Sequence, residues 1–344
     1  MSERLDDIAQ KMVTPGKGIL AADESGGTIK KRFDSINVVS TDETRRDYRE
    51  MLFRTDEAMK DYISGVILYD ETIRQKAKDG TPLVEIIRAA GSIPGIKVDA
   101  GAKDMPGQPG EKLTEGLDGL RERFAEYHDL GARFAKWRAV IDIGRGGAGG
   151  IPSHNCIHAN AHALARYAAL AQEAGIVPIV EPEVLMDGDH DIDRCDEVTT
   201  WILKELYQEL YFAGVSLEGS ILKPNMVIAG KKCAKQAGID EVAERTVRTL
   251  KRCVPAAVPG IVFLSGGQSD EDATAHLNAM NAAYDVSWNL SFSYGRALQA
   301  APLRTWGGDN NNWSRAQQAF LHRARMNGLA TKGEWTAQVE KEAA

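Results

Sequence analysis

Eight short runs of β-branched and aliphatic residues recur along this 344-residue chain, and most of them end in a charged or polar residue. Longer segments lie between the runs, and in these segments apolar residues recur every three or four positions, as on an amphipathic helix. Clear helical segments cover residues 44–59, 158–175 and 241–254. The runs predicted to be strands cover residues 18–23, 65–70, 95–99, 134–138, 177–183, 219–223, 260–265 and 287–293.

Eight alternations of strand and helix indicate parallel strands joined by helical crossovers, so the predicted fold class is α/β. The number eight favours closure into a (β/α)8 barrel, the TIM barrel, over an open sheet. No internal repeat, low-complexity tract or linker rich in proline, glycine and serine divides the chain. We therefore expect residues 1–330 to form a single barrel domain and residues 331–344 to form a short C-terminal tail.

Composition disfavours several classes of function. The net charge is −7 and its signs are interspersed, so no basic stripe is present that would follow a nucleic-acid backbone. No apolar stretch approaches the ~20 residues of a membrane span, and the N-terminal region is charged where a signal peptide is apolar. The cysteines form no C-x-x-C pair, which is typical of reduced thiols. They are Cys156, Cys195, Cys233 and Cys253. We predict a cytoplasmic protein that binds neither nucleic acid nor membrane.

Ionisable or polar residues stand at the ends of most of the predicted strands. Burying such charges costs several kcal/mol unless they pair in a polar pocket. In a barrel the C-terminal ends of the strands meet at one mouth, where active sites lie, and residues two apart on a strand face the same way. Interior ion pairs that only orient the barrel remain the alternative for any single residue. The candidates are Asp23, Lys97, Asp99, Lys136, Arg138, Glu181, Glu183, Lys223 and Ser265.

Three lysines among carboxylates suggest covalent chemistry. Two neighbouring ammonium groups and partial desolvation lower the pKa of a third lysine, which leaves some free amine at neutral pH. A free amine attacks a ketone, and the resulting iminium accepts electrons when a carbon–carbon bond breaks, while nearby carboxylates move protons. The spacing alone does not decide whether Lys97, Lys136 or Lys223 is the nucleophile.

Two glycine-containing segments after the last two strands predict a phosphate site. The segments are LSGGQS at 264–269 and SYGRALQ at 293–299. Exposed N–H groups and a helix N-terminus after strands seven and eight are the usual phosphate site of a barrel, and Arg296 would add paired donors. A second anion site is predicted after strand one, at Ser25, Thr28 and Arg32. Its alternative is a helix start with a solvated basic turn.

In the order and spacing of these and other motifs, the chain resembles class I fructose-bisphosphate aldolase. The resemblance runs from Asp6 to Ala330. The motifs are GKGILAADES, GVILYDET, GIKVDAG, FAKWR, IVPIVEPE, LKPNM, FLSGGQS, SFSYGRALQ and WGG.

The resemblance implies a metal-independent lyase without a cofactor, which cleaves fructose 1,6-bisphosphate through a lysine Schiff base in glycolysis and gluconeogenesis. Lys223 would form the Schiff base, Glu181 would be the main acid/base, and Asp23 would handle the hydroxyl at the bond being cleaved. Lys97, Lys136 and Arg138 would hold charge around the substrate, and we count Lys136 and Glu183 among the catalytic candidates. One phosphate would bind Ser265, Gly266, Gly267, Ser293, Gly295 and Arg296, and the other Ser25, Thr28, Arg32 and Lys97. We also expect a homo-oligomer, with a tetramer as one candidate form.

Three positions depart from the animal members of the family. Thr28 replaces a serine and keeps its hydroxyl, and Asp70 replaces a histidine. The animal enzymes end in a tyrosine that helps to protonate the enamine intermediate, whereas the last tyrosine here is Tyr294. The role of the tail is therefore open.

Two further segments suggest metal sites, and two other functions are alternatives to a lyase. His154, His158 and His162 recur every four residues and could bind zinc or nickel, but a plain helix surface is favoured because no carboxylate partner is evident. The acidic run 186–193 resembles a calcium loop, but Val198 stands where an EF-hand needs its glutamate, so we predict a solvated loop. A pyridoxal phosphate barrel enzyme and a non-catalytic binding protein are the alternative functions.

Overall fold

A closed barrel of eight parallel strands forms the centre of the computed structural model, which describes residues 3–144 and 150–342. The barrel strands are β1 (Gly18–Ala22), β2 (Ile63–Leu68), β3 (Ile93–Lys97), β6 (Phe134–Ile141), β7 (Val177–Val184), β8 (Ile221–Leu222), β9 (Gly260–Phe263) and β10 (Asn289–Tyr294). A separate antiparallel hairpin consists of β4 (Ala102–Asp104) and β5 (Lys112–Thr114). The barrel closes because β10 pairs in parallel with β1.

Helices connect the strands and surround the barrel. In chain order they are α1 (Leu5–Met12), α2 (Gly26–Asp34), α3 (Asp42–Phe53), α4 (Asp56–Asp61), α5 (Asp70–Arg74), α6 (Leu83–Ala89), α7 (Leu120–Asp129), α8 (His154–Glu173), α9 (Ile192–Phe212), α10 (Ile239–Cys253), α11 (Asp270–Ala283), α12 (Arg296–Trp306), α13 (Trp313–Ala330) and α14 (Ala337–Glu342). A single 3₁₀ turn at Asn310–Asn312 precedes α13. None of the helices in the described part of the chain has the length and apolarity that crossing a bilayer requires.

The prediction of a (β/α)8 barrel is confirmed, and each of the eight predicted runs contributes one barrel strand in the expected order. The single helix predicted over 44–59 is wrong, because α3 ends at Phe53 and α4 starts at Asp56. The hydroxyl of Thr55 donates to the Met51 carbonyl at 3.1 Å, a local bond that competes with the helical pattern at this point. Helix α8 begins four residues before the predicted start, where Ser153 accepts from the Cys156 N–H.

Side chains inside the barrel change from apolar to charged along the strands. Residues two apart share a face, so Phe134 is followed by Lys136 on β6, and Ile179 is followed by Glu181 on β7. The apolar end of the barrel is closed by buried side chains of α1. The charged end therefore opens at the C-terminal ends of the strands, where barrel enzymes place their active sites.

The C-terminal segment packs against α13. Glu340 is buried, forms an ion pair with Arg323 and lies 2.8 Å from His322 Nε2. The indole N–H of Trp335 donates to Glu340 at 2.8 Å. These contacts fix the segment through residue 340, and residues 343–344 of the predicted tail lie outside the described residues.

Candidate active site

Four ionisable side chains meet at the centre of the mouth. Lys136 Nζ lies 2.7 Å from Asp23 Oδ2 and 3.4 Å from Glu181 Oε2. The other oxygen of Glu181 lies 3.2 Å from Lys223 Nζ. We call Asp23, Lys136, Glu181 and Lys223 the central cluster. It is built from the end of β1, from β6 and β7, and from the residue after β8, as the sequence predicted.

Charge pairing inside the central cluster outweighs the effect of burial. Burial alone would raise the pKa of Asp23, but the positive charges of Lys136, Lys223 and Lys97 hold that pKa well below its usual value. Burial alone would lower the pKa of Lys136, but the carboxylates of Asp23 and Glu181 raise it above its usual value. Asp23 is therefore a carboxylate and Lys136 an ammonium ion at neutral pH.

Lys97 lies next to this cluster at the end of β3 and is held by Asp99. Its Nζ donates to Asp99 Oδ1 and to the Asp99 carbonyl, both at 2.7 Å. The same carboxylate accepts from the Gly101 and Arg138 backbone N–H groups, at 3.1 and 3.4 Å. Lys97 is therefore held in an ion pair at one side of the mouth.

Arg138 and Glu183 form an ion pair further along β6 and β7. Burial would lower the pKa of Arg138, but Glu183 raises it, so the guanidinium stays charged. No contact between Glu183 and the central lysines is found among the described residues. Glu183 therefore contacts Arg138, whereas Glu181 contacts the lysines directly.

The segments after β9 and β10 form a glycine-lined cradle. Gly267 has a φ of +80°, and a Cβ there would lie 2.4 Å from Met186 Cγ, so a larger residue is disfavoured at this position. A Cβ at Gly266 would lie 2.5 Å from Met186 Cε, so a larger residue there would require the end of the Met186 side chain to move. Ser265 and Ser293 are buried, and the Ser293 hydroxyl has no hydrogen-bond partner within the part of the chain that is described. An incoming phosphate oxygen would satisfy this hydroxyl.

Arg296 begins α12 beside this cradle. Its guanidinium contacts Asp270 Oδ1 at 3.1 Å and the Ser265 carbonyl at 3.2 Å, and it also donates to the Gln268 carbonyl. Gly295 precedes it as the N-cap residue of the helix. A helix N-terminus, a glycine loop and a guanidinium thus lie together where the sequence predicted an anion site.

The second predicted anion site lies at the start of α2. The hydroxyls of Ser25 and Thr28 are 3.1 Å apart at the helix N-terminus, so threonine fills this position without losing the polar group. Arg32 forms an ion pair with Glu24. Since β1 and β10 are neighbours, a Cβ at Gly295 would lie only 3.4 Å from Arg32 Nη2.

Arg32 therefore lies next to Arg296, among the residues predicted to bind the other phosphate. The two arginines share a cavity of about 300 Å³ between α2 and α12. A larger cavity, of about 1070 Å³, is lined by Lys17, Lys60 and Gly91, which precede β1, β2 and β3. It opens at the N-terminal ends of the strands, so we locate the site at the opposite, charged end.

Sequence reasoning missed the residues that hold the arginines. Glu24 is buried and accepts from Gln299 Nε2 at 2.8 Å while it pairs with Arg32. Asp270, the partner of Arg296, lies outside every predicted strand end. A carboxylate next to Asp23 in the AADES segment was a usable signal for Glu24, but no local pattern marks Asp270.

Asp70 lies away from the centre of the mouth, and the acidic run 186–193 lies only partly in solvent. Asp70 begins α5, and its Oδ1 accepts from Arg74 Nε at 3.0 Å and from Tyr127 at 2.9 Å, outside the central cluster. The run 186–193 is only partly solvated, because Met186 and His190 are buried while the residues between them are not.

Comparisons with known proteins identify the family of this chain. The family model described as fructose-bisphosphate aldolase class-I matches residues 4–344. A probable fructose-bisphosphate aldolase class 1 of Xanthomonas campestris is 59% identical over 97% of this chain and 98% of its own. The cytosolic fructose-bisphosphate aldolase 6 of Arabidopsis thaliana is 55% identical over 94% and 88%.

A solved structure of fructose-bisphosphate aldolase from Plasmodium falciparum, in complex with TRAP and a small-molecule inhibitor, superimposes with a TM-score of 0.94. It is 50% identical and covers 97% of this chain and 95% of that chain. The resemblance seen in the motifs is thus confirmed along nearly the whole sequence. The protein belongs to the class I fructose-bisphosphate aldolase family.

Proposed function

We propose that this enzyme cleaves fructose 1,6-bisphosphate reversibly to dihydroxyacetone phosphate and glyceraldehyde 3-phosphate, through a Schiff base on Lys223 and without a metal ion. We place this reaction in glycolysis and gluconeogenesis. The observation that carries the proposal is the position of Glu181, whose two oxygens lie 3.2 Å from Lys223 Nζ and 3.4 Å from Lys136 Nζ. One carboxylate can thus exchange protons with the amine and with groups attached to it.

Lys223 is the nucleophile in this proposal because the other two lysines form closer ion pairs with carboxylates. Lys136 has a raised pKa and contacts two carboxylates. Both contacts of Lys97 Nζ are to Asp99. Within the described residues Lys223 Nζ forms an ion pair with Glu181 only, and Lys136 contacts the other oxygen of that carboxylate. Lys223 can therefore give its proton to Glu181 and attack as the free amine.

The first half of the reaction forms the iminium. The amine of Lys223 adds to the C2 ketone of the sugar, and the carbonyl oxygen becomes the hydroxyl of a carbinolamine. Glu181 protonates that hydroxyl, which leaves as water, and the nitrogen lone pair forms the C=N bond. Lys136, held beside Glu181, balances the negative charge that returns to the carboxylate.

The second half breaks the C3–C4 bond. Asp23, kept as a carboxylate by its low pKa, takes the proton of the C4 hydroxyl. The electrons of the C3–C4 bond move into the iminium and give an enamine, while the C4 oxygen becomes the aldehyde of glyceraldehyde 3-phosphate. Protonation of C3 converts the enamine back to an iminium, and Asp23 gives up its proton, so the enzyme gains one proton and loses one. Addition of water to the iminium then releases dihydroxyacetone phosphate and restores Lys223. The iminium is the electron sink, so the step does not call for a Lewis acid.

The phosphates would bind at the rim, in the cradle of Ser265, Gly266, Gly267, Ser293 and Gly295 and at the hydroxyls of Ser25 and Thr28. Lys97 is assigned with Ser25 and Thr28 to the second phosphate, while Arg32 stands beside Arg296. We therefore propose that Arg32 can contact either phosphate of the substrate during the reaction. Positive groups at the mouth can attract a phosphorylated sugar although the whole protein is acidic.

We extend the proposal to organisation and location. Residues 1–330 are proposed as one catalytic unit, in a cytoplasmic homo-oligomer, with a tetramer as the form to test first. Tyr211 and Phe212 at the end of α9 are 79% and 67% exposed, which supports burial against another copy. Light scattering of the purified protein measures the oligomeric state.

Borohydride trapping tests the mechanism. Reduction in the presence of dihydroxyacetone phosphate should inactivate the enzyme and attach the label to Lys223, located by peptide mapping. A label on Lys97 or Lys136 would show that the assignment of the nucleophile is wrong. EDTA should leave cleavage intact, and loss of activity that zinc restores would overturn the iminium mechanism. An absorption band of pyridoxal phosphate would favour the alternative cofactor enzyme.

A further inference from the structure

A cluster of imidazole and carboxylate groups lies on the outer surface of the barrel, between α8 and α9. His158 Nδ1 lies 2.8 Å from Glu205 Oε1 and 3.7 Å from Glu209 Oε1. His162 Nδ1 lies 2.8 Å from Glu209 Oε2. The two helices run side by side so that residues one turn apart on α8 face residues one turn apart on α9. The carboxylate partners that the sequence did not reveal for the histidine stripe are thus supplied by α9.

We propose that His158, Glu205 and Glu209 bind one divalent transition-metal ion, such as Zn²⁺, at this surface. One ligand atom from each residue lies within 4.8 Å of the others. Tetrahedral coordination at metal–ligand distances of about 2.0–2.2 Å places ligand atoms about 3.4 Å apart, so small side-chain rotations suffice. Imidazole together with carboxylate oxygen suits zinc better than calcium or magnesium, which prefer oxygen alone.

The charges around the cluster favour a cation. Glu205 and Glu209 are four residues apart on one helix face, a spacing at which like charges repel. Their side chains are only 19% and 11% exposed, and within the described ranges neither has a lysine or arginine partner. A neutral imidazole offers each of them at most one N–H, whereas a divalent ion would neutralise both carboxylates at once.

His162 and His154 have different places in this arrangement. His162 contacts the second oxygen of Glu209, so it would orient that ligand rather than bind the metal. His154 stacks on His158, with ring centroids 6.1 Å apart, and its other ring neighbour is Trp201. His154 therefore serves as a matched control on the same stripe. None of these residues belongs to the central cluster or to the residues predicted to bind phosphate.

The test uses full-length, untagged enzyme that has been stripped with a chelator and dialysed. Competition with a chromophoric zinc indicator should show one Zn²⁺ per chain, and saturating ZnCl₂ should raise the melting temperature by a few degrees, because the ion binds only the folded chain. His158→Gln and Glu209→Gln should each weaken zinc binding by at least about tenfold, the range for loss of a ligand or its support. His154→Gln should bind zinc as the wild type does.

Several outcomes would overturn the proposal. They are the absence of stoichiometric zinc binding, equal binding in wild type and in His158→Gln, or loss of binding in His154→Gln. His158 is half exposed, so its substitution should not unfold the chain even if Glu209→Gln does. All variants should cleave the sugar at the wild-type rate with or without zinc. The result therefore stands apart from the outcome of the borohydride experiment.

Discussion

The centre of the barrel mouth and its rim hold charge in different ways. In the central cluster Lys136, Lys223 and Glu181 have side chains no more than 5% exposed, and each of them contacts a partner of opposite charge within the cluster. At the rim the Arg296 side chain is 49% exposed and its partner Asp270 is 21% exposed. The central charges are desolvated and strongly coupled, whereas the rim charges are partly hydrated.

The same difference separates the two carboxylates. Positive neighbours lower the pKa of Asp23 in spite of its burial, whereas burial raises the pKa of Asp270 in spite of Arg296. A desolvated cluster can move protons as bonds change, while a rim arginine can leave its carboxylate for a substrate phosphate. Changes at the centre should therefore alter turnover, and changes at the rim should alter binding.

The largest effect is expected from Glu181→Gln. The amide keeps the size of the side chain but cannot exchange a proton with Lys223, so turnover should fall by roughly 10²-fold or more, as for loss of a positioned acid or base. The Michaelis constant should change little, because the residues predicted to bind the phosphates are unchanged. Steady-state kinetics measures both. Glu183→Gln is the matched control, and a loss as large as that of Glu181→Gln would blur the assignment of roles.

A rim change should shift the balance toward binding. Arg296→Ala removes a charge-assisted phosphate contact of about 1.5–3 kcal/mol, so the Michaelis constant should rise about ten- to a hundredfold with a smaller effect on turnover. Arg304 lines the same cavity, and Arg304→Ala should change the Michaelis constant less than about threefold. If Arg296→Ala acted mainly on turnover, centre and rim would not be separate subsites.

The pH dependence of stability should have a different form for the two carboxylates. Asp23 has a lowered pKa when folded, so its stabilisation is complete above its ordinary pKa of 3.8 and is lost only as the pH falls further. The unfolding free energy of Asp23→Asn should thus differ from wild type by a constant amount between pH 5 and 8.

Asp270 has a raised pKa when folded, so its charge destabilises the fold increasingly as the pH rises above 3.8. Asp270→Asn should gain stability relative to wild type over that rise, and the gain should vanish in acid. Denaturant unfolding at several pH values measures both differences. If the difference in unfolding free energy between variant and wild type changed with pH in the same direction for both variants, the contrast between centre and rim would be contradicted.

The sequence predicted the barrel and the central cluster for one physical reason. Parallel strands are buried on both faces, so each run is apolar and its end is marked by a charge, as at Asp23 and Lys223. What it missed depends on contacts between distant segments or on short elements. The hairpin of β4 and β5 has three residues in each strand, too few to show a period. Glu205 and Glu209 face the histidine stripe only because α8 packs on α9, and Arg32 meets Gly295 only because the barrel closes.

The smallest catalytic effect is expected from removal of the tail. Within the described residues the tail contacts neither the central cluster nor the residues predicted to bind phosphate. Glu340 is engaged by Arg323, His322 and Trp335, so it is not free to deliver a proton to the enamine.

Truncation after Lys332 should lower the melting temperature, because Arg323 loses a buried partner. The exchange of the C3 proton of dihydroxyacetone phosphate with solvent should change by less than about tenfold, or ~1.4 kcal/mol of barrier, and cleavage should change as little. Glu340→Gln is the control that breaks the contact without shortening the chain. Selective loss of proton exchange on truncation, with cleavage spared, would show that the tail has replaced the tyrosine of the animal enzymes.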